Sequence, residues 1–196
     1  MNSEEWATSV YIKELANQAE AAQIAAEDLN AALALALAGI PRAFAAIQGL
    51  LAAGAMISKL LWPKPSSLNE DGSQLSPEDA NRRAATLERG RRLRRELKIK
   101  GIPILENRKV RNAFEHFDDR LDRYFHEGET NVVDRVIGPR RTTVVINDKP
   151  ARYLRAIDPE TGTVSVMEDE VGMQELFDAT ADVGRRATDW LSQHRR

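Results

Sequence analysis

Apolar residues recur at helical spacing over most of the chain and change to a shorter period only in its last third. Residues 4–38 contain neither Pro nor Gly and are dominated by Ala, Leu, Glu and Gln, all strong helix formers, so they predict one long helix that Gly39 ends. Pro41 suits the first turn of a second helix, in which Phe44, Ile47, Leu51, Ala55 and Leu60 or Leu61 recur near the helical period. Residues 1–62 are thus expected to form a long antiparallel helical hairpin. Residues 62–74 hold Pro63, Pro65, Ser66, Ser67, Asn69, Asp71 and Gly72, a loop composition. Ser76 followed by Pro77, Glu78 and Asp79 then has the order of a helix start: cap, proline, first-turn acids.

The third helix should run to about Ile99, where Gly101 and Pro103 interrupt it, and its apolar stripe is thin: Ala85, Leu93 and Leu97. A stronger amphipathic pattern spans 104–125, with Val110, Ala113, Phe114, Phe117, Leu121, Tyr124 and Phe125 on one face, and predicts a core helix. These two occupy residues 76–125. After Gly128 the period changes. Residues 142–146, 152–157 and 163–167 are β-rich and separated by turns at 147–150 and 158–162, which predicts a small antiparallel meander over 142–167. Met173, Leu176, Phe177, Val183, Ala187, Trp190 and Leu191 mark a last amphipathic helix within 170–194. The expected fold is mainly α, an up-and-down bundle of about five helices with the meander before the last, in one domain over 1–196.

Composition narrows the function. With 196 residues, 42% of them hydrophobic, the chain can build one core of ordinary size. Residues 31–41 carry no charge, yet Arg42, Gln48, Ser58 and Lys59 interrupt an apolar run that needs about 20 residues to cross a bilayer, and Glu4 and Glu5 stand where a secretory signal is basic. A cytoplasmic protein without membrane contact is expected. The absence of cysteine excludes disulfides, thiolate zinc sites and cysteine nucleophiles.

A net charge of -2 excludes polyanion binding through global charge, but the charge is uneven. Residues 1–62 hold 3 basic and 6 acidic groups, residues 63–150 hold 19 and 15, and residues 151–196 hold 6 and 9. Within the basic middle, residues 82–100 carry nine Lys or Arg against Glu88 and Glu96. Two readings follow: Arg91, Arg92, Arg94 and Arg95 line an RNA path with salt-dependent affinity, or the helix docks on the acidic first and last segments.

There is no glycine-rich phosphate loop after a strand, no nucleophile elbow and no His pair at metal-ligand spacing, so neither metal nor cofactor is expected. What stands out is Arg111, Asn112, Ala113, Phe114, Glu115, His116, Phe117, Asp118, Asp119 and Arg120. Arg111, a polar Asn112, three further residues and His116 on an amphipathic helix resemble the signature of the HEPN superfamily. The run to Tyr124 is also similar to a group of bacterial HEPN-like proteins with a β-meander before the last helix. The resemblance implies a helical bundle, a homodimer in which motif helices from two protomers meet, and, in active members, metal-independent RNA cleavage, in a toxin or antiphage role with a neutralising or regulatory protein partner. It implies catalytic roles for Arg111, Asn112 and His116, with Glu115, Asp119 and Arg120 in support. The alternative is a catalytically silent HEPN-like module that binds nucleotide, RNA or a protein partner through the same cleft.

Helix geometry bears on this independently. Five positions separate Arg111 and His116 by about 7.5 Å of rise and about 140° of rotation, so they flank the apolar stripe and do not converge on one phosphate within one chain. Antiparallel helices across a two-fold axis would bring Arg111 of one chain beside His116 of the other. His116, with a reference pKa of about 6.5, can move a proton to or from a ribose hydroxyl or leaving oxygen, and Arg111 can stabilise developing negative charge. Asn112 lies four residues before His116, placed to orient the imidazole or bind a phosphate oxygen, and Asp119 lies three after, placed to hold the tautomer. Against this stands a plainer reading, in which Arg111 with Glu115 and Arg120 with His116 are solvated i,i+4 pairs that contribute little. His126 reads as a helix-end residue, His194 as solvent-exposed, and Trp6, Trp62 and Trp190 as apolar anchors.

Overall fold

The computed structural model describes residues 3–64, 74–107, 109, 117–128, 130–139, 144–146 and 148–194. The fold is mainly α, with six helical segments among the described residues and short strands before the last of them. These are α1 (Ser3–Leu33), α2 (Ile40–Leu61), α3 (Pro77–Glu96), α4 (Pro103–Glu106), α5 (Phe117–His126) and α6 (Met173–Gln193).

Helix α1 buries Thr8, Ile12, Leu15, Ala19, Ala22, Ala25, Leu29 and Ala32, a run of three- and four-residue steps that keeps one stripe facing inward. It ends at Leu33, earlier than the composition suggests. Ala36 takes a left-handed φ of 50°, a short 3-10 turn (Ala36–Gly39) follows, and Pro41 opens α2 as expected. Helix α2 is buried on nearly every side, including Phe44, Ile47, Leu50, Leu51, Ile57, Leu60 and Leu61, because α1, α3, α4 and α6 all pack on it. Burial accounts for its composition: the stretch Ala36–Leu61 is long and apolar enough to cross a membrane, and it is mostly enclosed by its neighbours. Helix α6 packs against α1, where Gly184 lets the backbones approach; a Cβ there would lie 2.5 Å from that of Ala19.

Ser76 caps α3 as predicted, its Oγ accepting from the Asp79 amide at 3.1 Å. The helix ends at Glu96, and Lys98 is left-handed with φ 53°. Leu93 and Leu97 are buried, but Ala85 is exposed and Gly90 takes the inward place, where α3 crosses the end of α2. A Cβ on Gly90 would lie 2.6 Å from Pro63 and 2.8 Å from the Leu61 carbonyl oxygen. From α6, Arg186 donates to the carbonyls of Leu97 and Lys98 and the Trp190 indole to Glu96, which fixes the C-terminal end of α3.

The predicted core helix over 104–125 is not continuous: α4 stops at Glu106 with Asn107 as its cap, and of the rest α5 supplies the described last part. At one end α4 buries Ile104 and Leu105, and the buried Ser58 hydroxyl donates to the Leu105 carbonyl at 2.6 Å. At the other, α5 buries Tyr124 but leaves Phe125 54% exposed, so Phe125 does not belong to the core face. Val110, Ala113 and Phe114 lie outside the described residues.

Among the described residues eight strands occupy the region of the predicted meander, which the structure extends at both ends. β6 (Arg155–Asp158), β7 (Thr163–Val166) and β8 (Asp169–Gly172) form the antiparallel part. The start of the expected last-helix segment is thus strand, and α6 begins at Met173. β1 (Val132–Val133) and β2 (Val136–Ile137) pair in parallel with β5 (Arg152–Tyr153) and β6 at a constant offset of twenty residues. They behave as one strand interrupted at Asp134 and Arg135, the latter left-handed with φ 60°. β3 (Val145–Ile146) pairs with β4 (Lys149–Pro150), so part of the predicted 147–150 turn is strand. Alternation gives the four-stranded sheet β2-β6-β7-β8 two faces. Ile157, Val164, Val166 and Val171 join the bundle core, while Leu154 and Met167 form a separate cluster with Tyr124 of α5 on the other side.

Candidate functional site

Arg111, Asn112, Glu115 and His116 lie outside the described residues, so the structure bears on them through their neighbours. The chain enters this segment from α4, held to α2 by Ser58, and leaves it in α5, held to the sheet. Phe117, next after His116, has the Arg155 guanidinium 5.1 Å from its ring centroid. Arg155 in turn makes two bonds to Asp134, at 2.8 and 2.5 Å, across the interruption between β1 and β2. Partial burial works against ionising Asp134, but the bonds from Arg155 and then Arg135 outweigh it and hold the carboxyl below its usual range.

One turn on, Arg120 reaches the β7–β8 turn, 2.5 Å from Asp169 and 4.0 Å from Glu168, with only 15% of its side chain exposed. It pins α5 to the sheet and is largely enclosed there, while its relation to His116 lies outside the described residues. Tyr124 completes the tether by donating to Glu168 at 2.6 Å. Burial first, and then Glu168, push the Tyr124 phenol up, while the Tyr124 hydrogen bond lowers Glu168. Asp119 is exposed on the outer side of α5.

The arginines of α3 divide by face. Arg92 pairs with Glu4 of α1, Arg94 donates to the Leu61 carbonyl and lies 5.8 Å from the Trp62 ring centroid, and Arg89 donates to the Lys59 carbonyl at 3.1 Å and covers Tyr11. These side chains serve the docking of α3 on the hairpin. Arg91 and Arg95 are exposed, Arg91 with only a 3.4 Å surface pair to Glu88. Of the four proposed RNA contacts, Arg91 and Arg95 face solvent while Arg92 and Arg94 are committed to packing. The docking reading holds for the acidic first segment through Glu4. On the last segment the contact is reversed, with α6 supplying Arg186 to the carbonyl end of α3.

His126 ends α5, and His194 is exposed with its ring stacked on Trp190 at 4.0 Å. Trp62 is buried and Trp190 half-buried, but Trp6 is 59% exposed and anchors nothing in the core. Among the described residues no group of three or more His, Asp or Glu could hold a metal ion.

Sequence reasoning passed over a cleft between α5 and the outer face of the sheet, about 190 Å³ in volume. Val136, Ala156 and Ser165 line its floor, Tyr124 and Met167 one side, Gly138 and Pro139 the other, with Arg152, Tyr153 and Asp158 supplying polar groups. The available signal was alternation, since Ala156 and Asp158 share a face of β6 opposite Ile157. The parallel partner strand, two residues at a time, lacks a recognisable pattern. No protein family, curated protein or solved structure matches this chain.

Proposed function

We propose that this chain is a HEPN-like, metal-independent endoribonuclease that works as a homodimer. The observation that carries the reading is the Arg111-Asn112-x-x-x-His116 motif in a segment whose two flanks are fixed, α4 by Ser58 and α5 by Arg120 and Tyr124. Such flanks give a catalytic segment the rigid support that productive geometry needs.

In this mechanism the ribose 2′-oxygen attacks the adjacent phosphorus and the 5′-oxygen leaves, giving a cyclic phosphate and a free 5′-hydroxyl. His116 carries a proton between these oxygens, Arg111 of the partner protomer stabilises the charge on the non-bridging oxygens, and Asn112 orients the imidazole. The test is cleavage of RNA by purified protein in EDTA. Activity should persist in EDTA and disappear in His116→Ala and in Arg111→Ala while both variants melt like the parent. Light scattering should show a dimer at micromolar concentration; a monomer with full activity removes the composite site.

A further inference from the structure

Beside α5, small half-buried side chains align on the outer face of the sheet. Val136, Ala156 and Ser165 are direct cross-strand partners on β2, β6 and β7, so they form a floor one side chain deep and three strands wide. Tyr124 and Met167 wall it on the α5 side, and Gly138 and Pro139 on the other. A volume of about 190 Å³ is below the roughly 300–1,000 Å³ of sites for drug-sized ligands, which suits a single flat ring system. The polar groups are sorted by depth. Asp158 is buried and held as a turn acceptor, its Oδ1 taking the amides of Glu160 and Thr161 at 2.8 and 3.2 Å, whereas Arg152 is exposed at the mouth, 5.3 Å from the centroid of the Tyr124 ring.

A carboxylate inside and a guanidinium outside match a ligand with N–H donors at its buried end and a phosphate at its outer end. We infer that the cleft is a nucleobase subsite, in which a base lies on Val136, Ala156 and Ser165 against Tyr124 and its phosphate meets Arg152. The RNA source of that base rests on the ribonuclease reading, and a free nucleotide presents the same chemistry. Asp158 lies at the base edge, and a carboxylate accepts from the amino groups of guanine, adenine or cytosine, whereas uracil presents none. Apolar contact with the small side chains of the floor supplies affinity with little dependence on base identity, so the preference comes from the edge contacts.

The test uses the full chain carrying His116→Ala, with fluorescein-labelled hexaribonucleotides and with guanosine and uridine monophosphates as separate ligands. Guanosine monophosphate should bind more tightly than uridine monophosphate. Ser165→Leu, which fills the floor, should raise Kd about tenfold for both RNA and nucleotide. Arg152→Gln at the exposed mouth should weaken binding several-fold and lower its salt dependence, and it guards against a folding defect in the first variant. Nucleotide binding that depends on Ser165 without RNA binding keeps the subsite and identifies a free nucleotide as its source. Unaltered Kd in both variants, with His116-dependent cleavage intact in the parent, overturns the subsite alone. Ser165-dependent nucleotide binding in a protein that never cleaves RNA overturns the ribonuclease reading alone.

Discussion

Around α1, α2 and α6 the buried surface is mostly Ile, Leu, Val and Ala, with Ile12, Leu15, Ile57, Leu61, Leu176 and Val183 fully enclosed. Around α5 and β1–β5 the strands are two residues long, the apolar cluster is Tyr124, Leu154 and Met167, and cohesion comes from ionic and polar bonds: Arg155 to Asp134, Arg120 to Asp169, Tyr124 to Glu168. Close-packed apolar surface resists local opening, because no part can leave without exposing the rest. Partly buried polar bonds hold a small region in place, but each contributes less to global stability than close-packed apolar surface. The cleft belongs to the second region, and the segment that carries the motif leads into it at Phe117.

The largest effect should come from the bundle. Leu176→Ala removes a fully buried side chain and should lower unfolding stability by about 2–5 kcal/mol. Denaturant titration followed by far-UV circular dichroism and by the emission of Trp62 and Trp190 should show one coincident transition at lower midpoint. Gly184→Val, which forces a side chain onto Ala19, should cost about 1–3 kcal/mol in the same assay. Two separated transitions in either variant would mean that the bundle does not unfold as a unit.

In the sheet region Arg120→Ala removes the tether between α5 and the β7–β8 turn. It leaves Asp169 and Glu168 without that cation, and should cost about 1–2 kcal/mol. Hydrogen exchange should locate the loss, with protection falling at β6 and β7 amides and holding at α1 and α2. Equal loss in both regions would erase the distinction between them.

The pH response sharpens the same contrast. Asp134 and Glu168 in the sheet region, and Asp182 in α6 beside Arg186 and Arg185, all have lowered pKa values in the folded state. Each therefore contributes stability above the ordinary carboxylate range, near pH 4, that is lost as pH falls through its lower folded-state value. Two of the three belong to the sheet region, so acidification should reduce protection of β6 and β7 before that of α2. Tyr124 has the opposite sign: its raised pKa gives a contribution present below about pH 10 and lost as pH rises through the folded-state value. Protection factors measured at acid, neutral and alkaline pH check both limbs.

Helical segments were legible because their signals are local and repeated. Ser76 caps α3, Pro41 opens α2, and the α6 stripe from Leu176 through Val183 to Ala187 is buried as its spacing implies. The strand partners were not, because Val132–Val133 and Val136–Ile137 are each two residues long and owe their conformation to β5 and β6, twenty residues away. Ala85 and Phe125 misled because periodicity gives a face but not the neighbour that covers it. The Arg120 tether was not legible because spacing within a helix says nothing of Asp169, which reaches it from the β7–β8 hairpin. The cleft combines residues from α5 and three stretches of β structure, and no local pattern could have joined them.

The smallest effect on stability, and the most informative about function, concerns α3. Charge counting treats Arg91, Arg92, Arg94 and Arg95 as one basic patch, but their contacts separate them into an inner pair tied to Glu4 and the Leu61 carbonyl and an outer pair facing solvent. Replacing Arg92 and Arg94 by Gln should therefore lower the melting temperature, because the Leu61 carbonyl and the Trp62 ring lose a partly buried cation. Replacing Arg91 and Arg95 should leave melting within the roughly 0.5 kcal/mol typical of surface changes. If α3 borders an RNA path, the outer pair alone should weaken RNA binding across sequences and reduce the salt slope by about one unit for each phosphate left without its arginine. Binding measured at two salt concentrations on the outer-pair variant, with its melting curve, decides the matter: an unchanged slope in a fully stable protein means that α3 is a structural basic helix and that RNA approaches from another side.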